Sequence, residues 1–223
     1  MKKYLTNFDL KLIAIITMTI DHIGAIIYND IDIFRIIGRI SFPIFAFLLV
    51  EGFKNSSNRL KYFLRLIIFA FITQPIYDYA FKSNTLNILF TFSLGFLLMM
   101  IIESGKKIID KYNIGLESYL YKTVFYSLFY ILFSILAIFL NVDYTVLGIT
   151  TIFIFYLSPN IFLSFILYLL AALFLETNDI QLYSIVAFIF LYFYNGKRGR
   201  KIKYFFYLYY PLHLLLLKML ISL

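Results

Sequence analysis

The sequence predicts an all-α fold: a polytopic transmembrane helical bundle of about nine spans, its N-terminus cytoplasmic, with residues 1–223 forming a single transmembrane domain. Three observations predict it. Composition is the first: 62% of the residues are hydrophobic, 21% aromatic and only 14% charged, and mean hydropathy is +0.88. A soluble domain is roughly half apolar and a quarter charged, and one soluble core cannot hide this much apolar surface. The second is a succession of apolar runs separated by charged or turn-rich breaks, and the third is the alternation of charge along those breaks.

A hydrocarbon layer about 30 Å thick needs roughly 20 apolar residues per spanning helix, so the chain has room for a series of spans and short loops but for no soluble domain. The runs place spans near 10–28, 33–53, 60–80, 85–103, 119–140, 145–158, 160–176, 180–194 and 203–221. The sixth, seventh and eighth are close to the lower limit of length. Ser158-Pro159-Asn160 reads as a tight loop or as a kink within a longer element.

Lys and Arg gather on the cytoplasmic side of membrane proteins. Here Lys2 and Lys3 precede the first span, Lys54, Arg59 and Lys61 fall in the second loop, and Lys106, Lys107 and Lys111 in the fourth. Lys197, Arg198, Arg200, Lys201 and Lys203 fall in the eighth. The odd loops carry Asp30 and Asp32, Asp78 with Lys82, Asp143, then Glu176 and Asp179. That pattern sets the N-terminus inside and the C-terminus outside, in a multi-pass protein of the cytoplasmic membrane.

The formal charge of +8 is accounted for by these loops, so no nucleic-acid partner is expected. Cysteine is absent, which excludes disulfides, thiolate catalysis and cysteine-ligated metals. No His-x-x-x-His pair or ligand triad lies on one element, so no metal is expected, and neither a phosphate-binding glycine loop nor Gly-x-Ser-x-Gly occurs. The first span carries Asp21 and His22 and lacks a small-residue cleavage pattern, so it reads as a retained helix and not a cleaved signal.

An ionisable side chain inside a span costs several kcal/mol by insertion scales, about 2.5–3.5 at the helix centre, so each one is a functional candidate. Asp21 and His22 lie toward the outer end of the first span, and Arg35 and Arg39 share one face of the second at i and i+4. Gln74 and Asp78 repeat that spacing in the third, and Asp143 with Tyr144 sits in an outer loop. For the arginines two readings stand: ion pairs with Asp21 and Asp78 that only hold helices together, or a ligand site. His22, beside a carboxylate and at the depth of Arg39, is placed for proton transfer, with helix-to-helix hydrogen bonding as the structural alternative. His213 follows Tyr209, Tyr210 and Pro211 in the last span, where the proline frees the carbonyl four residues back, that of Tyr207. A cavity-facing role and simple packing are both open there. Arg59, Lys61 and Arg65 make a basic cytoplasmic surface, which either anchors to anionic lipid or docks an anionic cofactor such as coenzyme A.

Ile16-Thr17-Met18-Thr19-Ile20-Asp21-His22-Ile23-Gly24, then Arg35-Ile36-Ile37-Gly38-Arg39-Ile40-Ser41-Phe42-Pro43-Ile44-Phe45-Ala46-Phe47 and Glu51-Gly52, resemble the TraX family. Further matches run through Arg59 to Arg65, Gln74-Pro75 to Asp78, Asn87 to Thr91, Asp143-Tyr144, Asn195-Gly196-Lys197-Arg198-Gly199 and Tyr209-Tyr210-Pro211-Leu212-His213. The resemblance implies acetylation of the N-terminus of a conjugative pilin, and similarity to membrane acyltransferases that draw on acyl-CoA. Acetyl-CoA would arrive as co-substrate from the cytoplasm. The acceptor, a pilin-like or other small membrane or secreted molecule, would present an amine or hydroxyl from the outer side.

In that chemistry His22 is the base, Asp21 sets its tautomer, and Arg39 or Arg35 stabilises the oxyanion or holds the acceptor. Arg35, Gln74, Asp78, Asp143, Tyr210 and His213 are the candidate substrate contacts; Arg59, Lys61 and Arg65 are those for the co-substrate. Direct transfer and a covalent acyl-histidine are both open. Two other classes use the same features: a transporter of a small polar solute through the buried charges, and an assembly factor binding a membrane peptide.

Overall fold

A computed structural model describes residues 3–112, 115–175, 179–200 and 203–222; Lys2, Glu176 and Lys201 of the loop-charge pattern lie outside them. The described residues are helical throughout, with no strand and two isolated bridges. The helices are α1 Asn7–Ile26, α2 Asp32–Gly38, α3 Ser41–Lys54, α4 Arg59–Phe81, α5 Ile88–Tyr112, α6 Leu116–Phe139, α7 Thr145–Leu157, α8 Ile161–Leu175, α9 Ala187–Tyr192 and α10 Lys203–Ser222. A 3₁₀ helix, Asp179–Val186, leads into α9.

Four segments are long and apolar enough to cross a membrane: Asp32–Lys54, Arg59–Phe81, Ile88–Tyr112 and Leu116–Phe139. The chain is thus an all-α protein with membrane-crossing helices. The expected sixth and seventh spans form helices of 13 and 15 residues, and at 1.5 Å per residue 13 residues reach about 20 Å, short of a hydrocarbon layer. Nine crossings are therefore not established, although the helices of the described residues follow the expected order.

The predicted second span divides at Arg39 and Ile40 into α2 and α3. Pro43 has no N–H to offer the carbonyl four residues back, which is that of Arg39, so the ladder is interrupted there. The kink matters because it directs Arg39 inward. Beyond it, α3 is the axis of the molecule. Nine of its fourteen residues are buried, among them Ile44, Ala46 and Phe53 with no exposed surface. It packs with Leu10 and Ala14 of α1, Phe96 and Met99 of α5, Ile152 of α7 and Phe188 of α9 in one apolar core. By contrast α6 fully buries only Ser118, Phe133, Ser134 and Ala137, packs Tyr126, Phe129 and Tyr130 against the neighbouring core and turns most of its remaining residues outward, as a helix at the edge of a bundle does.

Two main-chain ties fix which helix ends share a side. Residues 4 and 5 donate to the Phe193 carbonyl, and Asn195 donates back to Leu5, so the start of α1 lies beside the end of α9. Leu86 likewise donates to the Asn141 carbonyl and accepts from Asp143, so the start of α5 meets the end of α6. The first group carries the basic loop 195–200, the second the acidic loop at Asp143.

Candidate functional site

Two features face one another across the bundle: a pair of stacked histidines toward the acidic end, and a cavity open at the basic end. In α1, residues Asn7, Lys11, Ile15 and Met18 recur at three- and four-residue steps and line the cavity; His22 is the next position on that stripe. In α10 the lining residues Phe206, Tyr207 and Tyr210 are followed one turn on by His213. Two helices thus carry the same progression, from cavity wall to imidazole.

The imidazoles of His22 and His213 are parallel within 13°, with centroids 4.8 Å apart and Nδ1 of His22 2.5 Å from Nε2 of His213. His213 Nδ1 lies 2.8 Å from the carbonyl oxygen of Tyr209. A carbonyl only accepts, so with both rings neutral the proton of His213 is on Nδ1, and its Nε2 must accept from Nδ1–H of His22. That leaves Nε2 of His22 with a free lone pair, the state a general base requires. Tyr210, 6% exposed, sits 6.0 Å from the His22 ring and Phe81 5.3 Å from it, both centroid to centroid.

In the chemistry the resemblance implies, Asp21 sets the tautomer of His22; the structure differs. Asp21 Oδ2 accepts a 2.6 Å bond from Arg35, which also reaches the Asp21 carbonyl at 3.2 Å. On a helix, adjacent side chains diverge by about 100°, so Asp21 faces α2 while His22 faces α10. Gly38 explains the closeness of α1 and α2: any Cβ there would overlap the Asp21 carboxyl group. Oδ1 of Asp21 is buried with no partner.

Arg39 donates to the Tyr144 hydroxyl at 3.2 Å and to Gln181 Oε1 at 3.5 Å, while its Nε is buried and unpartnered. Tyr144 stacks on Phe42 with centroids 3.9 Å apart. The loop that presents it is strained: Asn141, Tyr144 and Thr145 have φ of 49°, 58° and 33°, a region unfavourable for side chains and especially for a β-branched one. Main-chain bonds to Leu86 and a 2.5 Å bond from Thr91 Oγ1 to the Asp143 carbonyl hold it. Asp143 lies in the field of Arg39, Arg35 and Asp21, and burial pushes its carboxyl up to about 6. The structure therefore brings His22, His213, Tyr210, Asp21, Arg35, Arg39 and Asp143 into one region.

Gln74 and Asp78 are placed elsewhere. Gln74 donates to Asp78 at 2.6 Å and to the Thr85 carbonyl at 3.0 Å, and accepts from the backbone and side chain of Asn87. Its polar atoms tie the α4–α5 connection, and Asp78 beside it is exposed.

The cavity has a volume of about 790 Å³. Its mouth is basic and polar, with Lys61, Arg65, Arg198 and Arg200 near Asn58, and Lys11 farther in over the Phe206 ring at 5.0 Å. Glu51, the sole carboxylate of the lining among the described residues, accepts from Tyr194 at 3.2 Å. Its deeper wall is apolar, with Phe45, Leu48, Leu89 and Phe92, and ends at Met18 and Tyr210. Arg59 does not line it. That guanidinium lies 4.1 Å from the Phe53 ring centroid, donates to the Phe53 carbonyl and approaches Glu103 at 3.8 Å. Lys11, Arg198 and Arg200 lie outside the predicted co-substrate set; Lys11 had a signal in the sequence, a lone lysine on the stripe leading to His22.

The family model described as TraX protein matches residues 7–221. The chain belongs to the TraX family. A second similarity covers nearly the whole molecule: the probable fimbrial assembly protein FimC, serogroup H1, of Dichelobacter nodosus is 31% identical over 243 aligned positions, 94% of this chain and 93% of the relative. An uncharacterized protein of Rickettsia prowazekii (strain Madrid E) is 41% identical over 93 residues, 40% of this chain and 36% of its own length. No solved structure matches. In this TraX chain the motif residues Asp21, His22, Arg35 and Arg39 occupy one region contributed by α1 and α2.

Proposed function

We propose that this TraX family protein is a membrane-embedded acetyltransferase, moving an acetyl group from acetyl-CoA to an amine or hydroxyl of a membrane or extracytoplasmic acceptor. One observation carries the reading: a single cavity joins a cationic mouth to an apolar depth whose last lining residues, Met18 and Tyr210, stand one turn before His22 and His213. Cations at the mouth suit the phosphates of coenzyme A and the apolar wall suits its arm; a volume of about 790 Å³ is within the usual range of ligand sites, roughly 300–1,000 Å³. From Lys11 to His22 the α1 stripe rises about 16 Å, which separates the anionic end from the reacting end.

In the transfer, Nε2 of His22 takes the proton of the acceptor as its nitrogen or oxygen bonds to the thioester carbonyl carbon. The carbon–sulfur bond then breaks, the thiolate of coenzyme A leaves, and the proton held by His22 passes to it. His213 holds His22 in the tautomer that leaves Nε2 free and stabilises the imidazolium that forms. Arg39, whose Nε has no partner, faces the developing oxyanion or the acceptor.

The protein's setting in this proposal is the cytoplasmic membrane, with the cavity mouth inward. The fimbrial assembly name of the Dichelobacter relative, together with the family's match, supports a pilin-like acceptor. The test is transfer from labelled acetyl-CoA to peptides with free or blocked N-termini, using purified protein in lipid nanodiscs. Label on the free peptide, lost in His22→Gln, is expected. Equal transfer by His22→Gln would remove the imidazole from the chemistry and end this reading.

A further inference from the structure

We infer that Met18 and Tyr210 form the floor that measures the acyl group, restricting transfer to short acyl chains; the inference rests on the acyl-transfer reading above. Both residues line the cavity and both are buried, at 9% and 6% exposure. Met18 is one turn before His22 on α1, about 6 Å along the axis. Tyr210 is three residues before His213 on α10, and its ring lies 6.0 Å from His22 and 5.7 Å from His213. A thioester reaching Nε2 of His22 from the mouth must therefore arrive at the layer these two side chains occupy.

What lies behind that layer decides the length. Met18 and Tyr210 pack with Tyr77, Ala80 and Leu214 in one cluster, and Leu214 has no exposed surface. Ile88 and Leu89, which also line the cavity, close the cluster from α5. A two-carbon group needs little of this space, whereas each further methylene must displace packed side chains. Tyr77 and Phe81, with centroids 4.9 Å apart, back the floor from α4, so lateral escape is blocked as well.

The test is competition between acetyl-CoA and octanoyl-CoA for one acceptor peptide, with both products counted by mass spectrometry. The wild type should favour acetyl strongly. Met18→Ala should raise the octanoyl-to-acetyl product ratio by about tenfold or more, since one methylene in an apolar pocket is worth roughly 10- to 200-fold. Met18→Leu, of similar volume, should keep the wild-type ratio. Should Met18→Ala fail to accumulate, Tyr210→Leu is read the same way. An unchanged ratio in the enlarged variants, or a wild type that transfers octanoyl as readily as acetyl, overturns the floor and leaves acyl transfer standing. No transfer from any thioester by folded wild type overturns both.

Discussion

His22 and His213 stand 191 positions apart in the chain and meet through a 2.5 Å contact between Nδ1 and Nε2, closing α1 against α10. The orientation of the first ring is set by the second, and that of the second by the main chain at Tyr209. A base held this way has one nitrogen committed and one available.

If the pair acts as a unit, the two substitutions are not additive. His22→Gln should lower acetyl transfer by about 10²–10⁴-fold, the range for a general base, and His213→Gln by less, because it removes the orienting group only. The double variant should be no slower than His22→Gln alone. Single-turnover rates on the four proteins give the answer, and a multiplicative double loss would refute the coupling.

The Asp21–Arg35 pair predicts a stability effect separable from chemistry. Its side chains are 15% and 29% exposed, between a surface and a buried pair, so Arg35→Met should cost about 1–3 kcal/mol by stranding Asp21. Asp21→Asn combined with Arg35→Met should recover part of that loss. Gly38→Ala should destabilise for a steric reason, since its Cβ would overlap the Asp21 carboxyl. Melting of the detergent-solubilised proteins, followed by size-exclusion profile, compares all of these.

At the cavity mouth, charge should control co-substrate affinity. Lys61→Ala, Arg65→Ala and Arg198→Ala are expected to raise KM for acetyl-CoA several-fold with little change in kcat, and more so at low ionic strength. Arg59→Ala should act on stability, because its guanidinium is engaged by Phe53 and Glu103 outside the cavity. A KM effect as large for Arg59→Ala as for Lys61→Ala would contradict that division.

Asp143 supplies a pH dependence. Burial raises its carboxyl from the ordinary 3.8 to about 6, so between those values the folded protein binds a proton that the unfolded chain has released. Its contribution to stability is thus complete below about 3.8 and declines as pH rises through about 6. Asp143→Asn carries no such proton, so its melting temperature should be flatter across that interval than the wild type's. Parallel curves for the two proteins would show that Asp143 is solvated.

Sequence by itself determined the class of molecule and pointed to several of the polar residues that meet inside it. The helical order and the candidacy of His22, Arg35, Arg39 and His213 follow from two local costs: exposing apolar surface to water and burying charge in lipid. The partnerships had to wait for the tertiary structure. Adjacent Asp21 and His22 looked like a pair and diverge, whereas His22 and His213 looked unrelated and touch. Arg59 read like Lys61 and Arg65 yet lies outside the cavity, while Lys11, two residues after Asp9 at the start of the first apolar run, lines it. Which side of a helix meets which neighbour depends on packing among α1, α2, α3, α4 and α10, and no window of one helix contains that information.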